Sequence, residues 1–258
     1  MSEERSKGVL LEIARCPNVV ADFKDSGEPH PCFNIVSSQR AIELDSFHVP
    51  EPWNGEIEQS PLLFISSNPS YNRKEEFPLW SWDDESIEDY FTHRFGGGKK
   101  LWVKEGLQGL LRNGTYSEPT PFWEAVKQRA EELFERPVQP GVEYALTEVV
   151  HCKSRRQKGV AEALEECSRL YLRRVIEISG ARVICILGKI ARETTKRLFD
   201  IPADVHLSPP IEVGIKQRRF VFLPHPNSSL PNTYSENYSS DELRRIRSHL
   251  HQSSIIEK

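Results

Sequence analysis

The sequence predicts a three-layer α/β/α fold around a four-stranded parallel central sheet, and three observations predict it. Four short runs are apolar on both faces, as strands buried between two helical layers must be. Segments with apolar residues at helical spacing separate them, and strands that alternate with helices imply right-handed crossovers between parallel neighbours. The chain has 258 residues, 38% of them hydrophobic, which fills the core of one sizeable domain.

The elements follow in order. Residues 1–58 form an N-terminal segment ahead of the first strand, PLLFIS at 61–66. Residues 71–118 hold Trp80, Trp82, Tyr90, Phe91, Trp102 and the run Gly96-Gly97-Gly98, and read as an aromatic-rich insertion in a single domain spanning 1–258. Its GGGKK lacks the GxxxxGKS/T spacing of a phosphate-cradling loop, so no nucleotide cofactor is expected. Thr120 and Pro121 open a helix with apolar positions at Phe122, Val126, Ala130 and Leu133. The second strand is VEYALTEVV at 142–150. A long helix follows through Val160, Leu164, Cys167, Tyr171, Val175 and Ile178. The third strand, ARVICILG at 181–188, leads to a helix marked by Ile190, Thr194 and Leu198, and the fourth is RRFVFLP at 218–224. Ser239 with Glu242 forms a capping box for a last helix through Leu243, Ile246 and Leu250.

Composition narrows the function classes. A net charge of -4 leaves no global basic footprint, so any nucleic-acid contact must come from local clusters such as KSRRQK at 153–158 or RRIR at 244–247. No apolar run approaches the roughly 20 residues of a membrane span. The N-terminal apolar stretch is interrupted by Glu12 and Arg15, unlike a secretory signal. A cytoplasmic protein, without a membrane partner and monomeric, is expected. Five cysteines are an odd number; a reducing compartment argues against disulfides and leaves metal, cluster or core roles open.

Ligands of such folds bind outside the carboxyl ends of the strands. Three strands end in polar loops there: SSNPSYN with Asn68, Pro69 and Ser70; TEVVHCKSRR with Glu148, His151 and the basic loop; PHPNSS with His225. Each alone is also a turn former's pattern. In this order and spacing, over roughly residues 61–230, the motifs resemble those of the uracil-DNA glycosylase superfamily. The match is best over 146–191, where TEVVHCKS, EECSRLYLRRVI and ARVICILGKIA look like the bacterial iron-sulfur branch. HPNSS resembles the second catalytic motif, and SSNPS the first in its mismatch-type form. The resemblance implies a DNA partner, flipping of one nucleotide, and cleavage of its bond to the base through an oxocarbenium-like transition state. Asn68 would position the water. His225, between Pro224 and Pro226, would donate to the base carbonyl on which charge develops. Pro226, Asn227 and Ser228 would compress the DNA backbone, Leu230 would fill the vacated stack, and Lys153, Arg155 and Arg156 would bind phosphates.

Two departures from the pattern carry expectations of their own. The uracil-reading relatives have Asn where Glu148 stands; an ionised carboxylate only accepts, which opposes uracil O4 and suits the cytosine amino group. Ser70 stands where the strictly uracil-specific enzymes place a bulky Tyr, leaving room at C5. Together these favour a modified cytosine, such as phage DNA carries, and an antiviral defence role. The alternatives are a uracil-DNA glycosylase of base-excision repair, with Glu148 paired to Arg155 or His151, and an inactive DNA-binding or damage-sensing module. Trp80, Trp82 and Phe77 are either pocket walls or core. The second departure concerns the cysteines. Cys152 and Cys167 match two cluster ligands of the iron-sulfur relatives. Cys16 resembles the second of an N-terminal pair whose first place holds Ile13, and Cys32 would supply the missing thiolate. The resemblance implies a 4Fe-4S iron-sulfur cluster on Cys16, Cys32, Cys152 and Cys167; zinc on the same thiolates, or no metal, are the alternatives. Cys185, inside VICILG, is expected in the core.

Overall fold

The computed structural model describes residues 2–24 and 30–251. Helices α1 (Ser2–Ala14), α2 (Pro17–Phe23) and α3 (Phe33–Ser38) precede strand β1 (Leu62–Ser66). Then come α4 (Asp84–Thr92), the short ribbon strands β2 (Val103–Lys104) and β3 (Gln108–Gly109), α5 (Pro121–Phe134) and β4 (Tyr144–Glu148). Helix α6 (Val160–Cys167) runs through a π-helical turn (Ser168–Leu172) into α7 (Arg173–Ile178), followed by β5 (Val183–Leu187) and α8 (Lys189–Leu198). The chain ends in β6 (Ile211–Val213), β7 (Lys216–Leu223), α9 (Tyr234–Asn237) and α10 (Ser240–His251).

The main sheet has five strands in the order β4-β1-β5-β7-β6, where four were expected. The four expected strands are parallel to their neighbours, and β6 adds an antiparallel edge. That edge is a tight hairpin turning on Gly214, whose φ of 65° suits glycine. Three residues of β6 after Pro209-Pro210 are too short to announce themselves by alternation.

Side-chain alternation along each strand divides the core in two. Leu63, Ile65, Ala145, Ile184, Ile186, Phe220 and Phe222 face α1 to α4, α6, α7 and α8. Leu62, Phe64, Tyr144, Leu146, Cys185, Leu187 and Leu223 face α5, α9 and α10. Each large apolar side chain so buried contributes about 1.5–3 kcal/mol. The capping box of the last helix forms as read: Glu242 accepts from Ser239 N–H at 2.8 Å, and Ser239 Oγ from Glu242 N–H at 3.3 Å.

The N-terminal segment is part of this core, with Ile13, Ala14, Val19 and Ile35 fully buried. So is much of the 71–118 insertion. Tyr90 packs edge-on against Phe77 at 5.3 Å and lies 4.9 Å from Trp102, and Trp82 joins them. The Arg15 guanidinium lies 5.3 Å from the Trp80 ring. Trp80 and Trp82 therefore pack on the core. Among the described residues, no helix is long and apolar enough to cross a membrane.

Candidate active site

Strands β1, β4 and β7 end around one cleft of about 290 Å³, lined by Asn68, Ser70, Glu148, His225 and Asn227 among others. The sheet itself brings three of its polar groups to one side. Register pairs Ser66 with Glu148. Both continue the alternation of Leu62 and Phe64 and of Tyr144 and Leu146, so they lie on the α5 face. His225, two residues beyond Leu223, continues it on β7, and its ring stacks on Phe122 of α5 with centroids 5.6 Å apart. A larger cleft of about 620 Å³ between α1 and α4 is lined by Lys7, Glu85, Glu88 and Lys99. Those residues pair with one another, Lys7 with Glu88 and Lys99 with Glu85, and none comes from a strand end.

His225 is held as a neutral donor. The backbone N–H of Asn227 donates to its Nδ1 at 3.1 Å, so the ring proton resides on Nε2. Burial, and then the charge of Arg129, keep its pKa below the usual histidine range. Arg129 also fixes the loop that carries it: its guanidinium donates to the carbonyl oxygens of Pro224 (3.1 Å) and Asn232 (2.7 Å), and to Asn232 Oδ1 (2.6 Å). Asn232 in turn donates to Pro226 O at 3.1 Å. Gly188 leaves room for the histidine: a Cβ there would come within 3.0 Å of His225 Cβ. Beyond it Asn227 is exposed, Pro226 and Ser228 are half-buried, and Leu230 stands 61% exposed.

Asn68 is half-buried at the end of β1. Its Nδ2 donates to Pro69 O at 3.0 Å and its Oδ1 accepts from Ser67 Oγ at 3.3 Å. Ser70 is exposed at the cleft.

The floor is a buried charge network that the sequence did not announce. Arg94 donates to Glu51 Oε1 (3.1 Å) and Asn54 Oδ1 (2.7 Å) and pairs with Glu75. Lys153 pairs with Glu75 at 2.8 Å and lies 3.8 Å over the Phe77 ring. Burial opposes ionisation of Glu75, but Lys153 and Arg94 outweigh it and hold its pKa low. This corrects the expectation that Lys153 binds phosphate: its ammonium is turned into the protein, beneath the cleft. Arg155 is half-buried with its guanidinium 4.9 Å from the Tyr71 ring, and Arg156 is exposed at the cleft rim.

Glu148 has no cation partner among the described residues. Ser66 Oγ donates to its Oε1 at 3.4 Å, and its Oε2 is buried without a hydrogen bond. Burial, reinforced by the negative charge of Glu51, pushes its pKa well above the carboxylate range and favours the neutral acid. The direction is opposite to that of the ionised carboxylate expected from the sequence, and neither Arg155 nor His151 pairs with it. His151 instead donates from Nδ1 to Glu51 O at 2.8 Å.

On the other face of the sheet, Cys16, Cys32, Cys152 and Cys167 line one buried pocket with Tyr171 and His151. Three donors point at its sulfurs: Tyr171 O–H to Cys16 (3.3 Å), His151 N–H to Cys167 (3.4 Å) and Asn18 Nδ2 to Cys32 (3.9 Å). The π-helical turn begins directly after Cys167 and ends just past Tyr171. Burial, followed by the charge of Cys16, pushes the Cys32 thiol up to about 12. No group of three or more His, Cys, Asp or Glu among the described residues is placed to hold a metal ion. Four thiols line this one pocket, which is the ligand number of a four-iron cluster. Cys185 is fully buried in the core, as expected. In RRIR, Arg247 bonds to Glu132 O (2.9 Å) and Glu135 (2.8 Å), remote from the cleft residues.

The sequence reading missed Glu51, Glu75, Arg94, Phe122, Trp123 and Arg129. Phe122 and Trp123 had a signal, since residues in the first turn of a helix that follows a strand-end loop lie beside the ligand face. The others had none.

The profile of the Uracil DNA glycosylase superfamily matches residues 52–250. No curated protein matches the sequence.

The tautomer is directly measurable. Long-range ¹H–¹⁵N spectra of the protein at neutral pH should show His225 neutral with its proton on Nε2; a proton on Nδ1 would contradict the arrangement.

Proposed function

The chain belongs to the uracil DNA glycosylase superfamily, and from that membership we propose that it is a DNA glycosylase hydrolysing the N-glycosidic bond of a cytosine-type base modified at C5. The observation that carries the reading is the meeting of Asn68, Glu148 and His225 in one cleft at the strand ends. A flipped nucleotide enters that cleft. As its C1′–N1 bond stretches, charge grows on the pyrimidine O2, and the preorganised Nε2–H of His225 donates to it. Asn68 orients a water towards C1′; a weak base suffices, because the oxocarbenium needs little nucleophilic push. Leu230 fills the space left in the stack. Arg155, Arg156 and the backbone of Pro226, Asn227 and Ser228 grip phosphates, giving salt-sensitive binding despite the net charge of -4.

Two residues support the substrate. A neutral Glu148 can accept from the cytosine amino group through one oxygen and donate to N3 through the other. Ser70 is small and lies at the cleft where a substituent at C5 needs room. A C5-modified cytosine is a base of phage DNA, and excising it in the cytoplasm would make this a defence enzyme. The second reading, repair of uracil, is favoured by the same protonation: the O–H can also donate to O4 while the carbonyl accepts from N3–H.

We infer likewise that Cys16, Cys32, Cys152 and Cys167 ligate a 4Fe-4S cluster. Bound there, it would cross-link α2, α3, the loop after β4 and the end of α6. Tyr171, Asn18 and the His151 N–H would stabilise the thiolates by hydrogen bonds.

Duplex DNA containing uracil, cytosine, 5-hydroxymethylcytosine or its glucosylated form, treated with alkali after incubation, decides the substrate. Strand cleavage is expected at a modified cytosine, and His225→Ala should slow it about 100- to 1,000-fold, the usual cost of losing such a donor. Cleavage at uracil alone selects the repair reading; a gel shift without cleavage on any substrate selects a binding module. Protein purified without oxygen should carry iron and acid-labile sulfide at about four each per chain, and Cys16→Ser should lose both. Zinc in their place would refute the cluster.

A further inference from the structure

Cytosine is a poorer leaving group than uracil. Uracil departs as an anion whose charge spreads onto two carbonyls, whereas cytosine has one carbonyl and an amino group that donates electrons into the ring. A donor to O2 eases both departures alike. What cytosine additionally requires is a proton on N3, which lets it leave as a neutral molecule.

Glu148 lines the cleft and has one buried carboxyl oxygen without a hydrogen bond. Ser66 Oγ donates to Glu148 Oε1, so Oε1 is the accepting oxygen, and the proton of the neutral acid belongs on Oε2. Oε2 is the atom without a partner. The charged and titratable groups around it come from every neighbouring segment. Glu51 precedes β1, Glu75 and Arg94 lie between β1 and α5, Lys153 follows β4, and His225 follows β7. The two cations are already engaged by Glu51 and Glu75. Among the described residues the acid therefore has no ion-pair partner, and its Oε2 has no hydrogen-bond partner.

Resting on the cytosine reading above, we propose that Glu148 is a catalytic acid: its Oε2–H passes to N3 of the flipped cytosine as the C1′–N1 bond breaks. The balance is complete. The electron pair of the C1′–N1 bond stays on the base, which takes the Glu148 proton and leaves neutral. Water adds to C1′ and loses one proton to solvent, and the Glu148 carboxylate regains a proton from solvent once the base has gone. During the transfer, Oε1 accepts from the amino group N4–H, so one side chain both reads the base and activates it. An amide at this position reproduces the donor and acceptor pattern and cannot surrender the proton.

That difference supplies the test, in single-turnover cleavage of duplex DNA containing 5-hydroxymethylcytosine by the wild type and by Glu148→Gln. Binding is measured separately on DNA carrying a 2′-fluoro analogue that is not cut. Expected are binding within about threefold of wild type and cleavage slowed at least about 100-fold, the usual worth of a general acid. The loss should be smaller on 5-fluorocytosine, whose ring nitrogen departs more readily. In the wild type, which needs no substitution to fold, the rate should fall as pH rises, because the neutral acid is the active form. Cleavage by Glu148→Gln near the wild-type rate, or a wild-type rate that does not fall with rising pH, overturns the acid while leaving the cytosine reading intact. A wild type that cuts uracil and no cytosine overturns the reading, and the acid with it.

Discussion

Three carboxyl groups and two cations share the buried floor of the cleft, and this unequal count governs the site. Arg94 and Lys153 are sequestered by Glu51 and Glu75 in contacts of good geometry, as buried charges must be. Neither cation pairs with Glu148, and burial together with the charge of Glu51 outweighs their pull and raises its pKa well above the carboxylate range. The network thus does more than neutralise itself. By occupying both cations it favours the neutral form of a third carboxyl group at the strand end where a base would lie.

The fold delivers the other groups with little freedom. Alternation along β1, β4 and β7 sets Ser66, Glu148 and His225 on the same face, so a one-residue slip in any strand would turn its group to the opposite layer. Helix α5 then closes that face twice. Phe122 stacks on the histidine ring and Arg129 ties down its loop. His151 and Glu51 link the cysteine pocket on the opposite layer to the floor of the cleft. His151 donates its main-chain N–H to Cys167 and its ring N–H to Glu51 O, and Glu51 bears directly on Arg94. Order in that pocket is therefore order in the charge network.

What could be read in the sequence was what repeats or stands in a short motif. The parallel strands, the helices between them, the capping box at Ser239 and the polar loops holding Asn68 and His225 all follow from local pattern. Strand β6 escaped because three residues carry no period. Arg94 and Glu75 escaped because their partners are distant in sequence, and an Arg within FTHRFGGG looks like any solvated residue. Lys153 was misjudged for the opposite reason: it sits in a run of basic residues, and only its backbone direction separates it from the exposed Arg156. The charge of Glu148 was misjudged because ionisation depends on neighbours that no local window contains.

The measurement that bears most directly on this account is the titration of Glu148 itself, by ¹³C NMR of its carboxyl carbon in the free protein. The account predicts the shift of a protonated carboxylic acid at neutral pH, turning to that of a carboxylate only in alkaline solution. A carboxylate shift at neutral pH would contradict it, since Glu148 would then be an acceptor alone, with a cation partner that the structure does not provide.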